Sequence, residues 1–111
     1  MRTFRKERLS DLIIEELNKL INREIEFEGA LVTLTDVEVT KDLEQAVVKF
    51  SVIPSEKAEK VLDILQKFRS RLQFWLIRKL NIKPVPQLEF EIDRGLEKAA
   101  EVEKKLLQDK Y

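Results

Sequence analysis

Neither cysteine nor histidine occurs in this chain of 111 residues. The first absence rules out a disulfide framework and thiolate metal sites. The second removes the commonest metal ligand and general base. Most familiar catalytic constellations are thereby excluded, and no glycine-rich phosphate loop stands in for them. With 2 glycines and 3 prolines, the composition is one for compact helices and strands rather than long loops. No apolar run approaches the roughly 20 residues that span a bilayer, and the opening MRTFRKERLSD lacks the apolar stretch of a signal peptide. The expectations are a cytoplasmic location, no membrane partner, no metal and no cofactor. The length suits a single domain with one core.

Charge is what the chain has in quantity. Lys and Arg number 21, balanced by 21 Asp and Glu, and a net charge of zero by itself argues against a nucleic-acid binder. The charges are segregated, however. Residues 60–84 hold seven basic residues against Asp63 alone, net +6, whereas 24–59 hold nine acidic and three basic, net −6. Local potential, not the total, decides what docks.

The longest helical pattern runs from Lys57 to Leu80, KAEKVLDILQKFRSRLQFWLIRKL. Val61, Leu62, Leu65, Leu72, Leu76 and Leu80, with Phe68 and Trp75 at the edge, recur at steps of three and four and line one flank. The opposite flank carries Lys60, Lys67, Arg71 and Arg78 with Phe74 among them, a positive stripe suited to phosphate. Arg69 spoils the pattern, pointing between Leu65 and Leu76, where an unpaired charge is costly to bury. Ser70 beside it can hydrogen-bond back to the preceding backbone and help bend a helix. The expected solution is two shorter helices meeting at Phe68, Arg69 and Ser70. The alternative is one straight helix whose Arg69 snorkels to its rim.

Before that stretch, residues 3–23 place Leu9, Leu12, Ile13, Leu17, Leu20 and Ile21 on one side of a helix and Glu15, Glu16 and Lys19 on the other. Arg2, Arg5, Lys6 and Arg8 crowd its beginning, where cations oppose the helix dipole; they either reach a polyanion or solvate a frayed terminus. Gly29 marks a turn. LVTLTDVEV (31–39) and AVVKFSVI (46–53) read as strands joined in a hairpin by TKDLEQ. Pro54 ends the hairpin, and Ser55 is the expected N-cap of the long helical stretch. Pro84 and Pro86 are expected to stop that stretch before a third strand at Leu88, Phe90 and Ile92. The order helix, strand, strand, helix, helix, strand predicts an α+β fold, a three-stranded sheet covered by helices on one face. Residues 96–111 form a charged, weakly apolar helical extension or tail.

Asp36, Glu38, Asp42 and Glu44 invite comparison with a metal or acid–base cluster, but they fall on alternating strand positions and a turn, as solvated carboxylates do. A helix–helix–strand order with a basic helical pair is what single-stranded RNA binders of the KH class offer. Their GXXG clamp has no counterpart in KFRSR, 67–71. Contacts here therefore fall to side chains and helix ends.

The hairpin VTLTDVEVTKDLEQAVVKFSV (32–52), the opening RKERLSDLIIEEL (5–17) and the closing PQLEFEIDRGLEKAAEVEKKL (86–106) together resemble the ribosome-binding factor A family over essentially the whole chain. The resemblance implies a KH-like (type II) domain over 1–95, monomeric and without enzyme activity. It further implies binding to the small (30S) ribosomal subunit and to 16S rRNA and its precursor, with roles in late maturation, rRNA processing and growth in the cold. The family's Ala-x-Gly at the helix break maps to Phe68, Arg69 and Ser70, and neither small residue is retained. On this reading Lys60, Lys67, Arg69, Arg71, Arg78, Lys79 and Lys83 contact phosphates, joined by Arg5 and Arg8. Ser70 supplies a hydroxyl and Phe74 a ring for stacking. A protein-interaction module whose basic helix docks an acidic partner without RNA is the competing expectation.

Overall fold

The structure, a computed structural model, describes residues 6–81 and 85–95. Arg2, Arg5, Lys83 and the extension expected over 96–111 lie outside the described residues. Five main elements follow in order: α1 (Lys6–Glu24), β1 (Leu31–Val39), β2 (Gln45–Ile53), α2 (Ala58–Leu80) and β3 (Gln87–Ile92). Leu9, Ile13, Leu17, Leu20 and Ile21 of α1 are buried, the spacing that predicted the helix.

β2 is the central strand. It pairs antiparallel with β1 through the hairpin and parallel with β3, because α2 carries the chain back along the sheet before β3 begins. Ala46, Val48, Phe50 and Val52 alternate along β2 into the core. Against this inner face α1 packs on β1, α2 packs on β3, and the two helices touch each other. The opposite face carries Thr33, Lys49 and Glu91, which are exposed or half-buried.

The pattern in β1 is less regular than LVTLTDVEV suggests. Leu34 and Val37 are both buried although three residues apart, which a plain strand forbids. The register shifts between Leu34 and Asp36, leaving Thr35 as an extra residue; this β-bulge returns Val37 and Val39 to the inner face. The hairpin connection is organised by Asp42, whose carboxylate accepts from the Thr40 hydroxyl at 2.6 Å and the Glu44 N–H at 3.1 Å. Leu43 adopts φ 61° there while packing against the core. Asp36 accepts from the Val37 N–H and Glu38 pairs with Lys49, so these carboxylates serve the hairpin rather than converge on a site. Among the described residues no group of acidic side chains is arranged to hold a metal, and no helix is long and apolar enough to cross a membrane.

Two local expectations about α2 need correction. It is one uninterrupted helix of 23 residues, not two meeting at Phe68–Ser70. The inner flank carries buried Ala58, Val61, Leu65, Leu72 and Leu76. Arg69 leaves this stripe by extending sideways to β3, where its Nη1 donates to Glu89 at 3.2 and 3.3 Å. A partner supplied by the neighbouring strand removes the reason for a break. Ser55 is not the N-cap either: it opens a 3₁₀ turn, Ser55–Lys57, and the cap of α2 is Lys57, without a side-chain bond. The Lys57 ammonium instead donates to the Glu28 and Gly29 carbonyls at 3.3 and 3.2 Å. Gly29 has φ +67°, the left-handed region that favours glycine, whereas an added Cβ would only displace the flexible end of Lys57. The C-terminal end lies where the Lys57–Leu80 pattern puts it: α2 ends at Leu80 and is capped by Asn81 in the left-handed region, φ 51°, with its N–H on Ile77 O.

Candidate nucleic-acid interface on the second helix

The two flanks of α2 are set by where β3 and α1 lie. Gln73 clamps β3: its amide donates to Pro86 O and its oxygen accepts from the Leu88 N–H, both at 2.8 Å. With Arg69 on Glu89, these bonds fix the rotation of the helix about its axis. Lys60, Lys67, Arg71, Phe74 and Arg78 are thereby turned to solvent, and all five are exposed. At 1.5 Å per residue, Lys60 and Arg78 stand about 27 Å apart along the helix.

Among the described residues, Lys60, Lys67, Arg71, Arg78 and Lys79 make no ion pair. Their charge is left for an external anion. Arg69 differs, being held by Glu89 away from the stripe. Arg71 lies over the Phe68 ring at 5.3 Å. Lys67, Phe68, Ser70 and Arg71 line one shallow depression of about 310 Å³, which brings Ser70 beside two cations where the family's small-residue motif maps. Lys60 stands apart, sharing a separate pocket with Glu26, Glu28 and Lys57. Arg8 is exposed on α1 and engaged within the protein.

At the C-terminal end, Phe74 is 54% and Trp75 39% exposed. The two rings meet edge to face, 6.1 Å apart at 76°, with the Arg78 guanidinium over both, at 5.6 and 6.0 Å. Trp75, Arg78 and Lys79 face Lys19 and Arg23 of α1 across a groove of about 270 Å³. Sequence reasoning placed Trp75 at the edge of the apolar flank and did not assign Lys19 or Arg23 to the site. The only available signal was their shared i, i+4 spacing on α1, which says nothing about which helix they will face.

The arrangement can bind and orient phosphates and stack aromatic groups. The family model for ribosome-binding factor A matches residues 5–106. Ribosome-binding factor A of Coprothermobacter proteolyticus is 33% identical over 110 residues, covering 98% of this chain and 80% of that protein. The crystal structure of ribosome-binding factor A from Thermus thermophilus superposes with a TM-score of 0.70 at 25% identity, covering 83% of this chain and all of that one. A homology model of the Thermus thermophilus factor, fitted into the cryo-electron microscopy map of a 30S–RbfA complex, superposes with a TM-score of 0.60 at 25% identity, covering 81% and 92%. Sequence match along the chain and agreement of the two-helix, three-stranded fold lead to one conclusion: this chain belongs to the ribosome-binding factor A family.

Proposed function

We propose that this protein binds the small (30S) ribosomal subunit through 16S rRNA and its precursor, and assists late subunit maturation and rRNA processing, including in the cold. It acts as a monomeric, cytoplasmic, KH-like module without enzyme activity, its contacts made by side chains in place of a glycine clamp. One observation carries this reading: the outer flank of α2 presents Lys60, Lys67, Arg71, Arg78 and neighbouring Lys79 with no carboxylate paired to them among the described residues. The family, and the 30S complex formed by the Thermus thermophilus relative, support the choice of polyanion. Phosphate contacts provide affinity and orientation, while the shape of folded RNA provides selectivity.

The test is binding to purified small subunits and precursor RNA as a function of salt. If five phosphates are neutralised, log K falls against log salt with a slope near about −3.5 for single-stranded RNA, or about −4.5 if duplex RNA follows the DNA coefficient. Reversing Lys67, Arg71 and Arg78 to Glu together should abolish binding with the circular dichroism spectrum unchanged. Affinity that ignores salt, or survives that reversal, overturns the proposal. Partners retained after complete RNA digestion, with no binding to purified subunits, would put an acidic protein in the place of RNA.

A further inference from the structure

We propose that the groove between α1 and α2 holds one unpaired nucleotide of the bound RNA, with its base stacked on Trp75 and its phosphate between Lys79 and Arg23. This deepens, and rests on, the RNA-binding reading above. The outer stripe is chiefly a track for phosphates, with Phe74 as its exposed ring. The groove sets an aromatic ring and cations from two helices around one space.

Its volume of about 270 Å³ lies just under the roughly 300–1,000 Å³ of small-ligand pockets, a size for a single nucleotide within a longer strand. Trp75 lines it, and the indole is already braced: Phe74 meets it edge to face and Arg78 lies over both rings. A ring held this way loses little further freedom when a base stacks on it. Around the ring stand Lys19, Arg23, Arg78 and Lys79, with Glu16 the one carboxylate among the described residues lining the same groove. Glu16 is engaged by Lys19 at 3.6 Å and Arg23 by its neighbour Glu24 at 2.9 Å. Both cations are 62% exposed, so these pairs are weak and a phosphate competes for the cations readily. Arg78 and Lys79 have no such partner among the described residues. An apolar peptide would bring no charge to these cations, whereas a nucleotide brings a π-face and an anion together.

The base must be unpaired because a base in a duplex has both faces occupied by its neighbours. Only loops, bulges and ends present one free for an aromatic side chain.

The chain contains a single tryptophan, so its intrinsic emission reports on this groove alone. The full chain would be titrated with three labelled oligoribonucleotides: a single strand, the same strand with abasic sites, and a blunt duplex. Anisotropy follows binding and tryptophan emission follows stacking. The single strand is expected to quench Trp75 with the same midpoint as its anisotropy, while the abasic strand and the duplex bind without quenching. Trp75→Ala should weaken single-strand binding by roughly 5- to 150-fold, the range for losing one stacked base, and leave the abasic strand and the duplex unaffected. Trp75→Phe should restore most of the loss, and Lys79→Glu, which keeps the indole, should shift the quenching midpoint to higher RNA concentration. Anisotropy showing binding with emission unmoved, or equal quenching by the abasic strand, overturns the stacking site and leaves the RNA-binding reading standing. No binding of any RNA removes that reading and the groove's role with it.

Discussion

The two flanks of α2 differ in where their side chains find partners. On the flank toward the sheet, every demand is met inside the molecule. Leu65, Leu72 and Leu76 are buried, the Gln73 amide is bonded to the backbone of β3, and the one charge, Arg69, has Glu89. On the outer flank, the cations make no ion pair among the described residues, and Arg71 and Arg78 lie over the rings of Phe68 and Phe74. Groups of the first kind stabilise the fold, whereas groups of the second kind contribute little to folding and gain their free energy when something binds. The outer face of the sheet behaves like the inner flank, since Lys49 pairs with Glu38 and Asp93 accepts from Thr35. Charge alone therefore does not mark an interface, and the contrast can be attacked directly.

The largest effect is expected from the core. Leu65→Ala should lower unfolding free energy by about 2–5 kcal/mol, measured by urea denaturation, while leaving the RNA salt slope unchanged below the transition. Gln73→Leu comes next. It strands the Leu88 N–H and the Pro86 carbonyl, and should cost about 1–3 kcal/mol with RNA affinity retained. If it weakened binding without destabilising, Gln73 would belong to the outer flank.

A smaller and more discriminating pair is Arg69→Ala against Lys67→Ala. The Arg69–Glu89 bridge is 40% and 44% exposed, so losing it should cost at most about 1 kcal/mol and leave the salt slope alone. Lys67→Ala should leave stability alone and reduce the slope by about 0.7 on a single strand. Reversal of that order would erase the distinction between the flanks. The smallest effect concerns the sheet. The Thr35 hydroxyl at 2.7 Å, and then the Gly95 N–H at 2.9 Å, hold the Asp93 carboxyl below its ordinary 3.8. Asp42 is lowered likewise, by the Thr40 hydroxyl first and then the Glu44 N–H. Because the unfolded chain takes up these protons more readily, the stabilisation is complete above about pH 4–5 and is lost as pH falls through the lower folded values. Asp93→Asn should accordingly flatten the acid limb of a stability–pH curve without altering RNA affinity.

Much of this molecule is legible in its chain of residues. The strands at 31–39 and 46–53, the third strand around 88–92 and both helices follow from side-chain periodicity, because burial on one face imposes that period whatever the neighbours are. The hairpin motif and the two terminal motifs carried the family as well. The expected break at Phe68–Ser70 failed for an instructive reason. A helical wheel shows that Arg69 falls in the apolar stripe but contains no Glu89, and a charge that looks unpaired along one helix is paired across 20 residues of sequence. The bulge at Thr35 does not follow from LVTLTDVEV taken as a plain strand, because the shift in register is defined only against β2.

What the sequence determined on its own is the apolar stripe of each helix and the alternation of β2 and β3, since these rest on local spacing and the aversion of apolar groups to water. Tertiary structure alone decided which cations keep their charge available. That depends on whether a carboxylate from another element comes within a few ångströms, as Glu89 does for Arg69 and none of those described does for Lys67, Arg71 or Arg78. It also decided that Trp75 shares a groove with Lys19 and Arg23. Juxtaposing two helices some fifty residues apart is a property of packing, and no local pattern encodes it.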